Sequence, residues 1–209
     1  MTKKIIGKIT SAYFIFTILT TLFVHLGLEI KKNELVTFDT PIQSWVRDLQ
    51  NPLMDKIMLF ITHSSSAIPV LIFFAIILLM LFKKRAFNKM HFLLIAIPGT
   101  LVINTILKLI FQRDRPDLLN LLVEENFYSF PSGHAMISST AVFAIMVLCW
   151  RSKHFYKILT LGLIYTFLVG YSRVYLGVHF PSDIIGGWMI SFAWVVLAQK
   201  LILNKNVIE

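Results

Sequence analysis

The sequence predicts an all-α integral membrane protein with six transmembrane helices and one amphipathic helix in the outer interface. Three observations carry that expectation. Hydrophobic residues fill 56% of the 209 positions and charged residues only 15%, against roughly a quarter charged in an ordinary soluble domain. Six apolar stretches follow one another, at about 5–30, 57–82, 91–111, 133–150, 157–178 and 184–203. At about 20 residues per crossing they use more than half the chain, which reads as a single membrane domain over 1–209. Finally, Lys and Arg crowd into the short segments 83–89 and 151–157, a bias that places those loops and both termini in the cytoplasm. The expected location is therefore the cytoplasmic (plasma) membrane. The net charge of +9 is mostly a topology signal, since a nucleic-acid partner would need the basic residues on one face. The lipid bilayer is the expected surrounding, and no protein partner can be inferred. Low charge and 18 phenylalanines exclude intrinsic disorder.

The first stretch, from Ile5 to Ile30, follows a basic lead but lacks a small-residue cleavage site, so it reads as a retained span. In the outer loop that follows, Thr40-Pro41-Ile42-Gln43 reads as a helix start, with a Thr cap, Pro at the first position and Gln in capping-box register. Ile42, Trp45, Val46 and Leu49 then recur at helical spacing, with Arg47 and Asp48 off that face. Such a helix lies in the interface or packs on the outer ends of the spans. The third and sixth spans, Phe92–Phe111 and Ile184–Leu203, are long enough to cross. The second and fourth have shorter apolar cores, Ala67–Phe82 and Ala135–Trp150. They cross only where Ser and His at one end meet the interface or line a cavity. Cys149, alone in an apolar run, reads as a small core residue, with no disulfide framework.

Ionisable residues in or beside a span are costly and usually face a polar cavity. Here three segments bring them to one side, the outer one. Lys108 and Arg115 are nearly two helical turns apart and share a face if the helix continues that far, while Pro116 stops it beyond Arg115. Lys108 on its own also fits a snorkelling lysine. Pro131-Ser132-Gly133-His134 opens the fourth span. A helix start offers unpaired N–H groups to an anion, Gly133 lets the backbone approach a ligand closely, and Ser132 adds a hydroxyl. The bland reading of this tetrapeptide is a cap with an exposed histidine. Arg173, His179 and Asp183 span the junction of spans five and six. A carboxylate four residues from a histidine fixes its tautomer and frees the other nitrogen to attack, or the two form an interfacial ion pair. Together these residues suit phosphoryl transfer, where neutralising phosphate oxygens is most of the task. No metal is expected, because the nearby cations would oppose a dication.

Lys108-x6-Arg115-Pro116, Pro131-Ser132-Gly133-His134 and Ser172-Arg173-x5-His179-x3-Asp183 resemble the three motifs of the type-2 phosphatidic acid phosphatase superfamily. All three are complete and in order, and the resemblance covers essentially the whole chain. It implies a metal-independent membrane lipid phosphatase without cofactor, acting on the outer side. Small bacterial members act on undecaprenyl diphosphate or phosphatidylglycerophosphate, and the first of these is the favoured expectation. The resemblance implies that His179 is the nucleophile, forming a phosphohistidine, and that Asp183 orients it. His134 would protonate the leaving oxygen and then activate water, giving a bell-shaped pH profile. Lys108, Arg115, Arg173, Ser132 and the amide of Gly133 would hold phosphate oxygens. Two other classes compete: a vanadate-dependent haloperoxidase, which shares the motif set, and a non-enzymatic lipid carrier. His25, His63 and His91 read as interfacial, and His154 falls in a cytoplasmic loop. Arg113 and Asp114 read as a surface pair or headgroup contacts. Glu124, Glu125, Phe127 and Tyr128 are candidates for headgroup selection.

Overall fold

A computed structural model describes residues 2–116, 123 and 125–203, with side chains from Tyr13 onward. Glu124 lies outside the described residues. Among the described residues eight helices follow in order: α1 Thr2–Lys31, α2 Val36–Asp48, α3 Pro52–Ser64, α4 Ala67–Lys83, α5 Phe87–Phe111, α6 Gly133–Leu148, α7 Phe155–Tyr175 and α8 Pro181–Leu203. The described residues contain no strand. Four helices, α1, α5, α7 and α8, are long and apolar enough to cross a membrane. The expected second span is not continuous: α3 and α4 meet at 46°, a pair apolar enough together for one broken crossing or a re-entrant loop. Its fourth counterpart, α6, is a shorter apolar helix of 16 residues.

The break between α3 and α4 has a local cause. The hydroxyls of Ser64, Ser65 and Ser66 donate to the carbonyls three residues back, at 2.6, 2.9 and 2.7 Å. Those acceptors compete with the helical ladder, and Pro69 contributes no N–H to the new first turn. Helix α4 then buries none of its residues, and Ile68 is 71% exposed. An apolar helix this bare needs hydrocarbon around it.

Helix α2 starts earlier than the Thr-Pro signal suggests. Asn33 turns the chain at φ 60°, Leu35 is the cap residue, and Pro41 falls inside the helix. Thr40 is therefore not the cap. Val46 on the expected apolar stripe is buried, and Ile42 packs beside it, but Trp45 and Leu49 stay exposed. Cys149 caps the end of α6, half-buried.

Helix α8 is the centre of the bundle, in contact with α1, α5 and α6. Its approach to the α5–α6 connection depends on two glycines. A Cβ on Gly186 would stand 2.5 Å from the Phe130 ring, and one on Gly187 3.3 Å from the Ser132 carbonyl. Phe130 stacks on Phe23 of α1 at 5.3 Å and meets Phe111 edge-on at 5.0 Å. This aromatic cluster (burial of Phe23 and Phe130 is almost complete) fixes the segment entering α6, and with it the site.

Candidate active site

Five places in the fold deliver the site: the end of α5 and the loop after it, residues 125–134, the last turn of α7, the α7–α8 turn, and the face of α2. Helix α5 ends at Phe111, where Gln112 takes a left-handed conformation and donates its N–H to the Lys108 carbonyl. So Lys108 and Arg115 do not share a helical face. Arg115 arrives from a loop instead, four residues past the helix. Lys108 is buried and its ammonium is bonded to the carbonyl of Tyr128. It thereby holds the 128–129 backbone.

Ser132 caps α6 as expected, and its N–H donates to the Asp183 carbonyl at 3.2 Å. The second and third motifs are thus hooked together through backbone. Asn104 of α5 steadies the same strand of chain, donating to the Pro131 carbonyl at 3.0 Å. His134 is half-buried in the first turn of α6.

The α7–α8 turn carries the tightest geometry. Pro181 is the first residue of α8, a position where its missing N–H costs nothing. Asp183 reaches back to accept the Phe180 N–H at 2.9 Å, in the manner of a capping box. The same Oδ2 lies 3.2 Å from Nδ1 of His179. That contact assigns the proton to Nδ1 and leaves Nε2 as the acceptor of the pair. Nε2 faces the Arg115 guanidinium at 3.3 Å. Arg115 is itself fixed by the carbonyls of Phe127 and Val178, at 2.7 and 2.6 Å. Burial first, then the charges of Arg173, Arg115 and Lys108, holds the His179 pKa well below its ordinary value of 6.5. The imidazole is therefore neutral at physiological pH.

Arg173 is 1% exposed. It donates to the Thr62 hydroxyl at 2.7 Å and to Glu125 at 2.5 Å. Among the described residues its Nε–H has no acceptor. Glu125 also faces Arg115 at 3.5 Å. Burial raises the Glu125 pKa, but Arg173 and Arg115 outweigh it and hold the carboxyl below its usual range. An anion is thus already clasped between the two guanidinium groups. An open cavity of about 440 Å³ lies alongside, lined by Arg115, Glu125, Phe127 and Tyr128 among others.

All eight sequence-predicted residues gather at this end of the bundle, but some partners differ from expectation. Arg113 is no surface residue: its guanidinium bridges Asp39 and Asp183. Asp114 instead offers its carbonyl to the Ser129 hydroxyl. Asp39, Ser182 and Thr62 were not foreseen. Asp39 precedes Ile42 and Val46 by three and seven residues, so it falls on the buried stripe of α2, and a carboxylate there was the available signal. Thr62 gave none. His25, His63 and His91 are exposed.

Residues 88–206 match the model of the PAP2 superfamily. The chain is similar to phosphatidylglycerophosphatase B of Bacillus subtilis, with 32% identity over 85% of this chain and 89% of that one. It is also similar to an undecaprenyl-diphosphatase of Sulfolobus acidocaldarius, at 29% identity over 87% and 88% of the two chains. In three dimensions it resembles the crystal structure of a transmembrane PAP2 type phosphatidylglycerolphosphate phosphatase from Bacillus subtilis. There the TM-score is 0.84 at 28% identity, covering 92% of this chain and 98% of the other. Family model, relatives and fold agree, and the chain belongs to the PAP2 superfamily, as a membrane phosphatase.

Proposed function

We propose that this phosphatase removes the terminal phosphate of a membrane lipid phosphate or diphosphate through a phosphohistidine on His179, without a metal ion. The observation that carries the reading is the Arg115–Arg173 clasp, which holds a carboxylate, reaches His179 through Arg115, and leaves one buried guanidinium N–H without an acceptor among the described residues. A buried donor without acceptor is costly, and a phosphoryl group supplies more oxygens than a carboxylate. In this scheme the phosphate displaces Glu125. Its oxygens are then met by Arg115, Arg173, the Ser132 hydroxyl and the Gly133 amide at the start of α6. Lys108 supports the cradle through the Tyr128 carbonyl and adds positive field.

The neutral Nε2 of His179 attacks phosphorus, and the bond to the leaving oxygen breaks. Asp183 stabilises the positive charge that the imidazole gains. His134 donates a proton to the leaving oxygen, then accepts one from the water that attacks the phosphohistidine. A hydrocarbon-lined groove of about 560 Å³, bounded by Phe38, Trp45, Met58, Phe167, Ile184 and Trp188, reaches the base of this turn. It suits the tail of a lipid that enters sideways from the bilayer. The short α6 and the bent α3–α4 complete six crossings, with α2 in the outer interface, termini in the cytoplasm and the site facing outward.

Undecaprenyl diphosphate is the favoured substrate, with phosphatidylglycerophosphate as the second reading; the names of the relatives support both. The test is phosphate release by purified protein from undecaprenyl diphosphate, phosphatidylglycerophosphate, phosphatidate and diacylglycerol diphosphate, each with and without chelator. Turnover that survives chelator and is fastest on undecaprenyl diphosphate is the expected result. A tenfold preference for phosphatidylglycerophosphate would replace the first substrate, and chelator-induced loss restored by magnesium would remove the mechanism.

The lowered His179 pKa adds a pH expectation with a definite sign. Protonation of Nε2 stops attack, so on the acid side activity falls as the pH drops through the lowered value. The acid limb of kcat/KM, which reports the free enzyme, should therefore lie below pH 6.5. A limb at or above that value contradicts a neutral, buried nucleophile.

A further inference from the structure

Behind His179 stands a second layer of charge that the phosphatase scheme leaves unused. Asp39 of α2 is 0% exposed, and each of its oxygens is engaged. Oδ1 accepts the Ser182 N–H at 2.9 Å. Oδ2 accepts the Ser182 hydroxyl at 2.6 Å and the Arg113 guanidinium at 2.7 Å. Asp39 thus serves α8 as an N-terminal acceptor supplied by another helix. Arg113 donates from its other nitrogen to Asp183 Oδ1 at 2.6 Å and to the Ser182 hydroxyl at 2.7 Å. Its guanidinium also stacks 3.9 Å above the centre of the Phe180 ring.

The geometry explains why both charges are needed. Asp183 must present Oδ2 squarely to Nδ1 of His179. The Phe180 N–H locates that oxygen, and the Arg113 fork fixes the rotation of the carboxylate by holding the other. A guanidinium alone, however, would neutralise Asp183 just where His179 acquires positive charge on phosphorylation. Arg115 and Arg173 lie nearby and add to that difficulty. Asp39 offsets the charge of Arg113, so the Asp39–Arg113–Asp183 chain keeps one net negative charge facing the imidazole. Orientation is gained without loss of field.

We propose that Asp39 is a positioning residue of the phosphoryl-transfer site, acting through Arg113 on Asp183 and so on His179. Helix α2 is then part of the catalytic apparatus. The inference rests on His179 as the nucleophile.

The test is a double-mutant cycle on the purified, full-length protein with one lipid phosphate, read as kcat and KM separately. Asp39→Asn is nearly isosteric and keeps an acceptor for the Ser182 N–H. It should lower kcat by about 10- to 100-fold, the range known for the outer partners of metal-bound histidines, with KM changed by less than threefold. Arg113→Gln combined with Asp39→Asn removes the unbalanced charge. The double variant should therefore be faster than the product of the two single effects. An unchanged kcat in Asp39→Asn, or single effects that simply multiply, overturns the inference. If Asp39→Asn does not fold, Arg113→Lys reads the same link. It keeps the charge but loses the fork, and lowered kcat at constant KM supports the role while wild-type kcat overturns it. The two levels separate cleanly. Phosphate release that survives His179→Ala defeats the phosphohistidine reading. His179-dependent release that is indifferent to Asp39 and Arg113 defeats only this inference.

Discussion

Changing His179→Ala should abolish phosphate release, by at least about 10⁴-fold, because loss of the nucleophile in a covalent mechanism leaves only binding and field effects. The protein should also lose all capacity to retain label from a ³²P-labelled aryl phosphate after rapid denaturation in alkali, where a phosphohistidine survives. His134→Ala should behave differently. A leaving group that departs without protonation does not need the acid, so the first step proceeds. Water attack lacks its base, and labelled protein accumulates. Separate outcomes for the two histidines are the sharpest check on the division of roles. Equal label retention in wild type and His179→Ala would place the covalent step elsewhere or remove it.

Arg173→Ala carries the second largest expected effect, a loss of about 10²- to 10³-fold in kcat, the range seen when a preorganised donor to developing charge is removed. The side chain is almost fully buried and ties together Thr62 of α3, Glu125 and the unfilled donor position. Its removal also leaves Glu125 with Arg115 alone. Glu125→Gln works in the opposite direction. It withdraws the competing negative charge from the clasp, so inhibition by vanadate should tighten severalfold and KM should fall. Loosened vanadate inhibition in Glu125→Gln would show that the carboxylate assists the anion instead of yielding to it. Arg173→Lys separates charge from shape: a lysine restores the charge but not the planar fork, and recovery should be partial.

Much of this was legible in the chain itself, for reasons that are local. Apolar runs of the right length dictate helices wherever backbone groups must be satisfied without water, and α5, α7 and α8 fall where those runs predict them. Ser132 before Gly133 and Pro181 ahead of Asp183 are helix-start chemistry, and both helices begin there. The register between His179 and Asp183 needs only four residues of chain. Boundaries failed where a side chain overrode the pattern. Three serine hydroxyls interrupt the second expected stretch, whereas α5 ends at Phe111 as its apolar run predicted, with Gln112 left-handed.

What the sequence determined alone is the membrane class, the helical segments and the three motif segments that gather at one end of the bundle, since composition, periodicity and motif spacing are short-range properties. Only the tertiary structure decided which charge answers which. Asp39 and Ser182 are 143 positions apart, and Arg173 and Thr62 are separated by 111. No local rule links such pairs. Inside an apolar bundle every buried charge must find a partner or a ligand, and the packing of α2, α3 and α8 determines which it finds. Packing therefore turned Arg113 from a surface residue into the support of Asp183, and placed Glu125 between Arg115 and Arg173.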